Sequence, residues 1–277
     1  MQSRTVAVIG AGEMGSAVAK RLHDGGCSVV VSLEGRSDAS RRRVAALAIT
    51  TVETMRDVVA HGDLVLSIVP PGQARPVAEL VRAALRAAPQ PLTYVDCNAV
   101  APATVRDIET IVRSGGASFV DAGIIGVPPR PGEAGPILFI SGEQTAPLLA
   151  LREAGLDVRV LDGTVGSASA LKMSYGGVTK GLTALCALMQ LHARKHGLGA
   201  ELDAVLQETR PDLWHFLDRG VPSMYPKAYR WVAEMREIAA YTAPDEASEQ
   251  IYEGAAQFYE RVAREVAVQT NAGRNEN

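Results

Sequence analysis

The feature that most constrains this chain lies at its beginning. The β-branched run Thr5-Val6-Ala7-Val8-Ile9 passes directly into Gly10-Ala11-Gly12-Glu13-Met14-Gly15, and from there into a segment of helical period that ends near Asp24. A strand, a turn with three spaced glycines and a helix form the first half of a βαβ unit, and this context gives the glycine spacing its meaning. Gly10 permits the sharp turn, Gly12 lets a ligand come close to the backbone, and Gly15 brings helix and strand together. Amides at the helix start then face an anion, so Gly10, Ala11, Gly12, Glu13, Met14 and Gly15 are expected to cradle the pyrophosphate of a dinucleotide. The alternative is a turn of purely structural use.

The same alternation continues to about residue 161. Strands are expected at Thr5-Ile9, Ser28-Ser32, Leu64-Ile68, Thr93-Asp96, Ser118-Asp121, Ile137-Ile140 and Val158-Leu161, with a weaker one near Ala48-Thr51. Helices are expected between them, from Met14 to Asp24, Asp38 to Leu47, Glu53 to Ala60, Ala74 to Ala87, Pro102 to Arg113 and Thr145 to Glu153. The stretch from Gly123 to Pro136 is rich in glycine and proline and reads as a loop beside a site. After Gly166 the strand signal stops, and the rest is helical apart from breaks at Gly197-Leu198-Gly199, Pro211, Gly220 to Pro226 and Pro244. Ser167 to His196 reads as one long helix in which Gly176, Gly177 and Gly181 mark a close neighbour. The polar tail from Thr270 to Asn277 is expected to fray. The expected fold is therefore an α/β Rossmann domain with a doubly wound, mostly parallel sheet over residues 1–162, then an all-α substrate and dimerisation domain over 163–277.

Composition narrows the function classes. A chain of 277 residues that is 47% hydrophobic and 21% charged can fill two cores. Its net charge of -3 offers no basic surplus for nucleic acid or anionic lipid. No apolar run reaches the roughly 20 residues needed to span a bilayer. Cys27, Cys97 and Cys186 are odd in number and widely spaced, which suggests neither a disulfide framework nor a zinc site but buried reduced thiols. The chain enters a strand at once, without the features of a secretory leader, so a cytoplasmic location is expected.

The second strand ends at Ser32-Leu33-Glu34-Gly35-Arg36-Ser37, where the adenosine ribose should lie. Glu34 follows Gly15 by 19 residues and would accept hydrogen bonds from a 2′-hydroxyl, which favours NAD. Arg36 and Ser37, with Arg41, Arg42 and Arg43 on the next helix, suit a 2′-phosphate and favour NADP. The expectation leans to NADP, with NAD possible. The alternative for the arginines is a solvated helix face.

Taken in order, Gly10 to Gly15, then Ser67-Ile68-Val69-Pro70-Pro71, then Asp96-Cys97-Asn98 with Pro102, then Asp121-Ala122-Gly123-Ile124-Ile125-Gly126, then Lys172 on a helix, the chain resembles the β-hydroxyacid dehydrogenases. That family includes the 6-phosphogluconate and 3-hydroxyisobutyrate dehydrogenases, and imine reductases share its fold. The resemblance spans residues 5 to 196, and Lys227 to Met235 looks like the helical domain of a less characterised branch. It implies hydride transfer between a nicotinamide and a carbonyl or hydroxyl substrate. Val69 and Pro70 would border the cofactor, and Asn98 would stand beside the nicotinamide. Lys172 matches the catalytic lysine that hydrogen-bonds the substrate oxygen and passes a proton.

A lysine serves in this way when burial and nearby cations lower its pKa. Helical spacing sets Lys172, Tyr175, Gly176, Thr179 and Thr183 along one stripe, as on a substrate-facing helix. The alternative is a lysine that snorkels from a helix between domains. Where the family has Ser-Gly-Gly this chain has Ile125-Gly126-Val127, and its usual asparagine four residues after the lysine is Gly176. A simple small hydroxyacid is then not held in the usual way, and a ketone, an imine or an aromatic hydroxyacid fits better. Tyr175 would supplement Lys172 as proton donor.

His215, among the aromatics of Asp212-Leu213-Trp214-His215-Phe216, is a candidate for substrate contact, although a lone helical histidine is more often simply packed. Tyr225, Tyr229, Trp231 and Tyr241 could wall a pocket or fill a core. His61, His192 and His196 lack metal-ligand spacing, and no metal is expected. The resemblance implies a homodimer through the helical domain, from which a long leading helix would gain burial. Two further readings remain open. They are imine reduction on the same fold and a non-enzymatic sensor that binds the cofactor without turnover.

Overall fold

The structure is a computed structural model and describes residues 5–130 and 132–275. It divides into two compact units, Met1–Lys172 and Met173–Asn277.

The first unit is a βα alternation. In chain order it comprises β1 (Thr5–Ile9), α1 (Glu13–Asp24), β2 (Ser28–Ser32), α2 (Asp38–Ala45), β3 (Thr50–Val52), α3 (Met55–His61), β4 (Leu64–Ser67), α4 (Pro71–Ala87), β5 (Thr93–Asp96), α5 (Pro102–Arg113), β6 (Ser118–Ile125), β7 (Ile137–Ser141) and β8 (Asp157–Val160). The sheet has eight strands in the order β3-β2-β1-β4-β5-β6-β7-β8, and all neighbours are parallel except β6 and β7. The order reverses between β1 and β4, so the crevice outside their carboxyl ends is where a ligand belongs.

The interior strands of this sheet are buried at almost every position because both faces are covered, whereas the edge strands β3 and β8 are largely exposed. Val6 and Val8 of β1 join Leu22 of α1, Val44 of α2 and Leu148 on one side. Ala7 and Ile9 join Val58 of α3, Val81 of α4 and Ile108 of α5 on the other.

Several elements differ from the sequence expectation. Gly123 to Ile125, expected to be loop, belong to β6, because Gly123, Ile124 and Ile125 pair with Phe139, Leu138 and Ile137. The helix expected at Thr145 to Glu153 is a 3₁₀ segment, Ala146–Arg152. α4 starts at Pro71 rather than Ala74, since a proline in the first turn gives up only an amide that has no intrahelical partner. Cys97 is buried, whereas Cys27 and Cys186 are only half-buried.

α6 (Ser167–Gly176) straddles the division between the units, and the boundary read from sequence, between 162 and 163, precedes it. The second unit continues through a π-helical turn (Gly177–Gly181) into α7 (Leu182–Lys195), then α8 (Gly199–Thr209), α9 (Pro211–Met224), α10 (Ala228–Thr242) and α11 (Glu246–Asn275). The expected single helix from Ser167 to His196 is thus continuous in path but π-bulged in the middle. α9 runs through Gly220 and Pro222, where a break was expected, before a short 3₁₀ turn at Tyr225–Lys227. The tail expected to fray from Thr270 is helical as far as Asn275, and residues 276–277 lie outside the described residues.

Candidate active site

The glycine turn has the geometry its spacing requires. Gly10 has φ +143°, and a Cβ there would stand 2.1 Å from the Ile68 carbonyl oxygen. A Cβ at Gly15 would stand 1.9 Å from the Gly10 carbonyl oxygen. Ala11 is buried, and Glu13 and Met14 open α1 with no side-chain cap from Gly12. A Cβ at Gly12 would meet nothing within 4 Å. The first two positions are glycine because the protein itself fills the space. At Gly12 the protein leaves the space open, in front of a helix N-terminus, as pyrophosphate binding requires. A dinucleotide therefore fits these residues.

At the end of β2 the expected cluster of arginines separates into distinct roles. Arg41 donates to both carboxylate oxygens of Glu53, each at 3.0 Å, and to the Leu33 carbonyl at 2.9 Å. Arg43 reaches back to the glycine turn and donates to the Ala11 carbonyl at 3.0 Å. Arg36 donates through Nε to the Glu34 carbonyl at 3.0 Å. The Ser37 hydroxyl caps α2, accepting from the Ser40 amide at 3.4 Å. Glu34 Oε2 is buried without a hydrogen-bond partner.

Strand register lines up the carboxyl ends of the central strands. Ile9 pairs with Ser67, Ser67 with Asp96, and Asp96 with Asp121. Beyond that row, Asn98 is buried and its side chain is fully engaged. Its Oδ1 accepts from the Val69 amide at 2.7 Å, and its Nδ2 donates to Ser67 Oγ at 3.1 Å and Asp96 Oδ2 at 2.9 Å. Asn98 thereby fixes the turn that presents Val69, which is buried, and Pro70, which is exposed. Burial, reinforced by the charges of Asp96 and Asp121, pushes the Cys97 thiol well above its ordinary range, so it is not a nucleophile.

Lys172 is held against β6. A Cβ at Gly123 would stand 2.8 Å from the Ala168 carbonyl oxygen and 3.2 Å from Lys172 Cβ, so the bare glycine is the seat of α6. The buried Asp121 fastens the start of that helix. Its Oδ2 accepts from the Gly166 amide at 2.8 Å, the Ser169 amide at 3.1 Å and the Ser141 hydroxyl at 3.0 Å. Its Oδ1 accepts from the Ser169 hydroxyl at 2.6 Å. Ile125 is buried at the end of β6, and Gly126, at φ +128°, is exposed and abuts Pro136.

In the second unit, Tyr175 is 46% exposed on α6, one turn beyond Lys172. The hydroxyls of Thr179 and Thr183 are spent on the carbonyls of Tyr175 and Thr179, both at 2.9 Å. The three glycines do mark close neighbours. A Cβ at Gly176 would be 3.4 Å from Glu234 Oε1, one at Gly177 2.8 Å from Tyr252 Oη, and one at Gly181 3.2 Å from Tyr252 Cε1. Lys180, in the π turn, pairs with Glu234 and lies 5.5 Å from the centre of the Trp231 ring. Tyr259 donates to the Lys180 carbonyl at 2.6 Å. His215 is exposed on α9, edge-on to Trp214 at 5.2 Å.

The first unit thus brings together the glycine turn, Val69, Asn98 and Lys172 around the carboxyl ends of β1, β4, β5 and β6. Sequence reasoning overlooked Ser141, Ser169 and the capping role of Asp121. Their only signal was a carboxylate and a serine in otherwise apolar strands. Among the described residues no helix is long and apolar enough to cross a membrane, and no cluster of metal-ligating side chains occurs.

Residues 5–149 match the NAD binding domain of 6-phosphogluconate dehydrogenase, and residues 193–262 match a domain of unknown function. An uncharacterised 28.5 kDa protein of Methanothermus fervidus is 30% identical over 204 residues, 74% of this chain and 76% of that one. Among solved structures, a conserved protein of unknown function, described as similar to 3-hydroxyacid dehydrogenases, aligns with TM-score 0.67 and 29% identity, covering 93% of this chain and 99% of the other. Mycobacterium tuberculosis 3-hydroxyisobutyrate dehydrogenase with L-serine aligns with TM-score 0.73 and 20% identity, covering 95% and 94%. Imine reductases from Myxococcus stipitatus, in complex with NAD+ and with NADP+, share the fold.

Proposed function

Since this chain belongs to the β-hydroxyacid dehydrogenase superfamily, we propose that it is an NADP-preferring oxidoreductase that interconverts a carbonyl and a hydroxyl group on a small molecule, with Lys172 as general acid–base. The seating of α6 on Gly123, which holds Lys172 beside the carboxyl ends of the central strands, carries this reading. The nicotinamide supplies or accepts the hydride when bound. The chain's own residues do the rest. Gly12 and the start of α1 receive the pyrophosphate, the Val69-Pro70 turn braced by Asn98 borders the dinucleotide, and Lys172 gives or takes the proton at the substrate oxygen.

Arg36 and Ser37 support NADP, because a guanidinium and a hydroxyl beside the N-terminus of α2 suit a dianionic phosphate. NAD remains a second reading, since the orphaned Glu34 Oε2 would accept from an unphosphorylated ribose. Titration with NADPH and NADH separates them, and tighter binding of NADH would overturn the NADP preference.

The buried Ile125 and the bare Gly126 at the end of β6 offer no side-chain donor to a carboxylate, so the substrate we favour is larger or more apolar than a simple hydroxyacid. The exposed phenol of Tyr175, on the helix that carries Lys172, supports imine reduction as a second chemistry. A panel of ketones, aromatic hydroxyacids and cyclic imines, followed by NADPH absorbance, tests the assignment. Tight NADPH binding with no turnover of any member would favour a sensor.

A cytoplasmic site of action accords with three unpaired thiols. The partner we propose is a second copy of the chain. Val178, Leu185 and Met189 are exposed and, with the half-buried Leu182, fall at alternating intervals of four and three on one helical path. A two-fold interface would use that stripe from both copies.

A further inference from the structure

Asp121 is wholly buried in the strand Phe119-Val120-Asp121-Ala122-Gly123, yet no substrate can reach it there. Burying a carboxylate costs several kcal/mol unless hydrogen bonds compensate for its lost hydration. Three of its four hydrogen bonds come from one place, the N-terminal end of α6. A helix leaves its first amides without intrahelical partners, and a preceding Ser, Thr, Asp or Asn normally takes one of them. Here the preceding residue is Gly166, which has no side chain, and the sheet supplies the cap instead. Asp121 takes the amides of Gly166 and Ser169 together with the Ser169 hydroxyl. Ser141, paired with Asp121 across β6 and β7, accepts from the Ala168 amide at 3.0 Å while donating to Asp121.

Residues two apart on a strand share a face. Asp121 and Gly123 therefore act on the same helix, one as fastening and the other as seat. Ser169 and Lys172 are three apart on α6, close to one turn, so the lysine stands about 4.5 Å along the helix axis from the fastened residue. A shift of the first turn would be passed to Lys172 with little loss.

We propose that Asp121, with Ser141 and Ser169 as its relays, is a positioning residue for Lys172. The inference rests on the reading of Lys172 as the acid–base group. Asp121 touches neither cofactor nor substrate. It sets the height and rotation of the helix that carries the lysine, and a misplacement of about 1 Å at a reacting group can cost on the order of 100-fold in rate.

The test uses the full chain with D121N, S169A, S169T and K172A. Asparagine keeps the shape of Asp121 and one acceptor oxygen, and the Ser169 hydroxyl can turn to accept from the new amide, so D121N is expected to fold. The first readout needs no substrate. In protein labelled with ¹³C at lysine Cε, the Lys172 signal is identified by its loss in K172A. It should shift or broaden in D121N and S169A and return in S169T, while the affinity for NADPH stays within twofold of wild type. The second readout is turnover of the best carbonyl substrate from the panel. D121N and S169A should lower kcat by about 10- to 100-fold with the KM for NADPH unchanged, and S169T should recover most of the loss. An unchanged Lys172 signal in both D121N and S169A would overturn the proposal. So would wild-type kcat in both variants alongside an inactive K172A. Full turnover by K172A would instead overturn the role of Lys172, whereas the ¹³C signal would still decide whether Asp121 holds it in place.

Discussion

At Gly123 a single methyl group would collide with the Ala168 carbonyl oxygen, 2.8 Å away, and crowd Lys172 Cβ at 3.2 Å. The Ala168 backbone cannot yield as the far end of a flexible side chain would. G123A is therefore expected to lift α6, to cost about 1–3 kcal/mol in denaturant unfolding and to depress turnover while sparing NADPH binding. Wild-type stability and turnover in G123A would contradict the seating. At the other end of the proposed cofactor site, Arg41 is bound to Glu53 and Arg43 to Ala11, Arg42 is exposed on α2, and Arg36, engaged only through Nε, is the arginine of the β2–α2 turn that we propose meets a 2′-phosphate. R36A should weaken NADPH binding at least tenfold, about 1.4 kcal/mol, and change NADH binding less than twofold. Equal losses for both cofactors would mean that Arg36 only supports the loop. The residues Arg36, Arg41 and Arg43 were legible from sequence as a cationic cluster. Their separate roles were not, because the partners of Arg41 and Arg43 lie in other elements.

Among the elements, the π turn between α6 and α7 shows what glycines in a helix accomplish. Gly177 and Gly181 let Tyr252 come against the helix where a Cβ would crowd it at 2.8 Å and 3.2 Å, whereas a Cβ at Gly176 would only touch Glu234. Tyr259 donates to the Lys180 carbonyl within this widened turn. Y259F should cost about 1 kcal/mol in denaturant unfolding. Burial, aided by the charge of Glu234, pushes the Tyr259 phenol above its ordinary value of 10. The neutral phenol is thus favoured in the folded state, and its contribution is lost as the pH rises through the raised folded value, having been complete below pH 10. The unfolding midpoint should fall above that pH in wild type and fall less steeply in Y259F. Identical alkaline slopes would contradict this assignment. The sequence announced close packing at these glycines but not the packing partners, which come from α10 and α11. The capping of α6 was hidden for the same reason. Gly166 looks like a helix start without a cap, and the cap comes from Asp121, 45 residues earlier.

For the whole molecule, the strand and helix alternation was readable because most strands are short and apolar with glycine or proline nearby, and because both faces of the interior of a parallel sheet are buried. The antiparallel β6–β7 pair and the extension of β6 to Ile125 were not, since Gly123 looks like a loop residue until the pairing of Gly123 with Phe139 and of Ile125 with Ile137 is seen. The proposed dimer belongs to this scale. L185E or M189E should shift the chain from dimer to monomer in light scattering without loss of helix content, and a wild-type monomer would remove the proposal. The central claim, that Lys172 moves the proton in a nicotinamide-dependent reaction, is most directly tested by comparing wild type and K172A for NADPH affinity and for kcat on one carbonyl substrate. The structure predicts affinity within about twofold and a kcat lower by at least about 100-fold. Equal kcat values in the two proteins would contradict it.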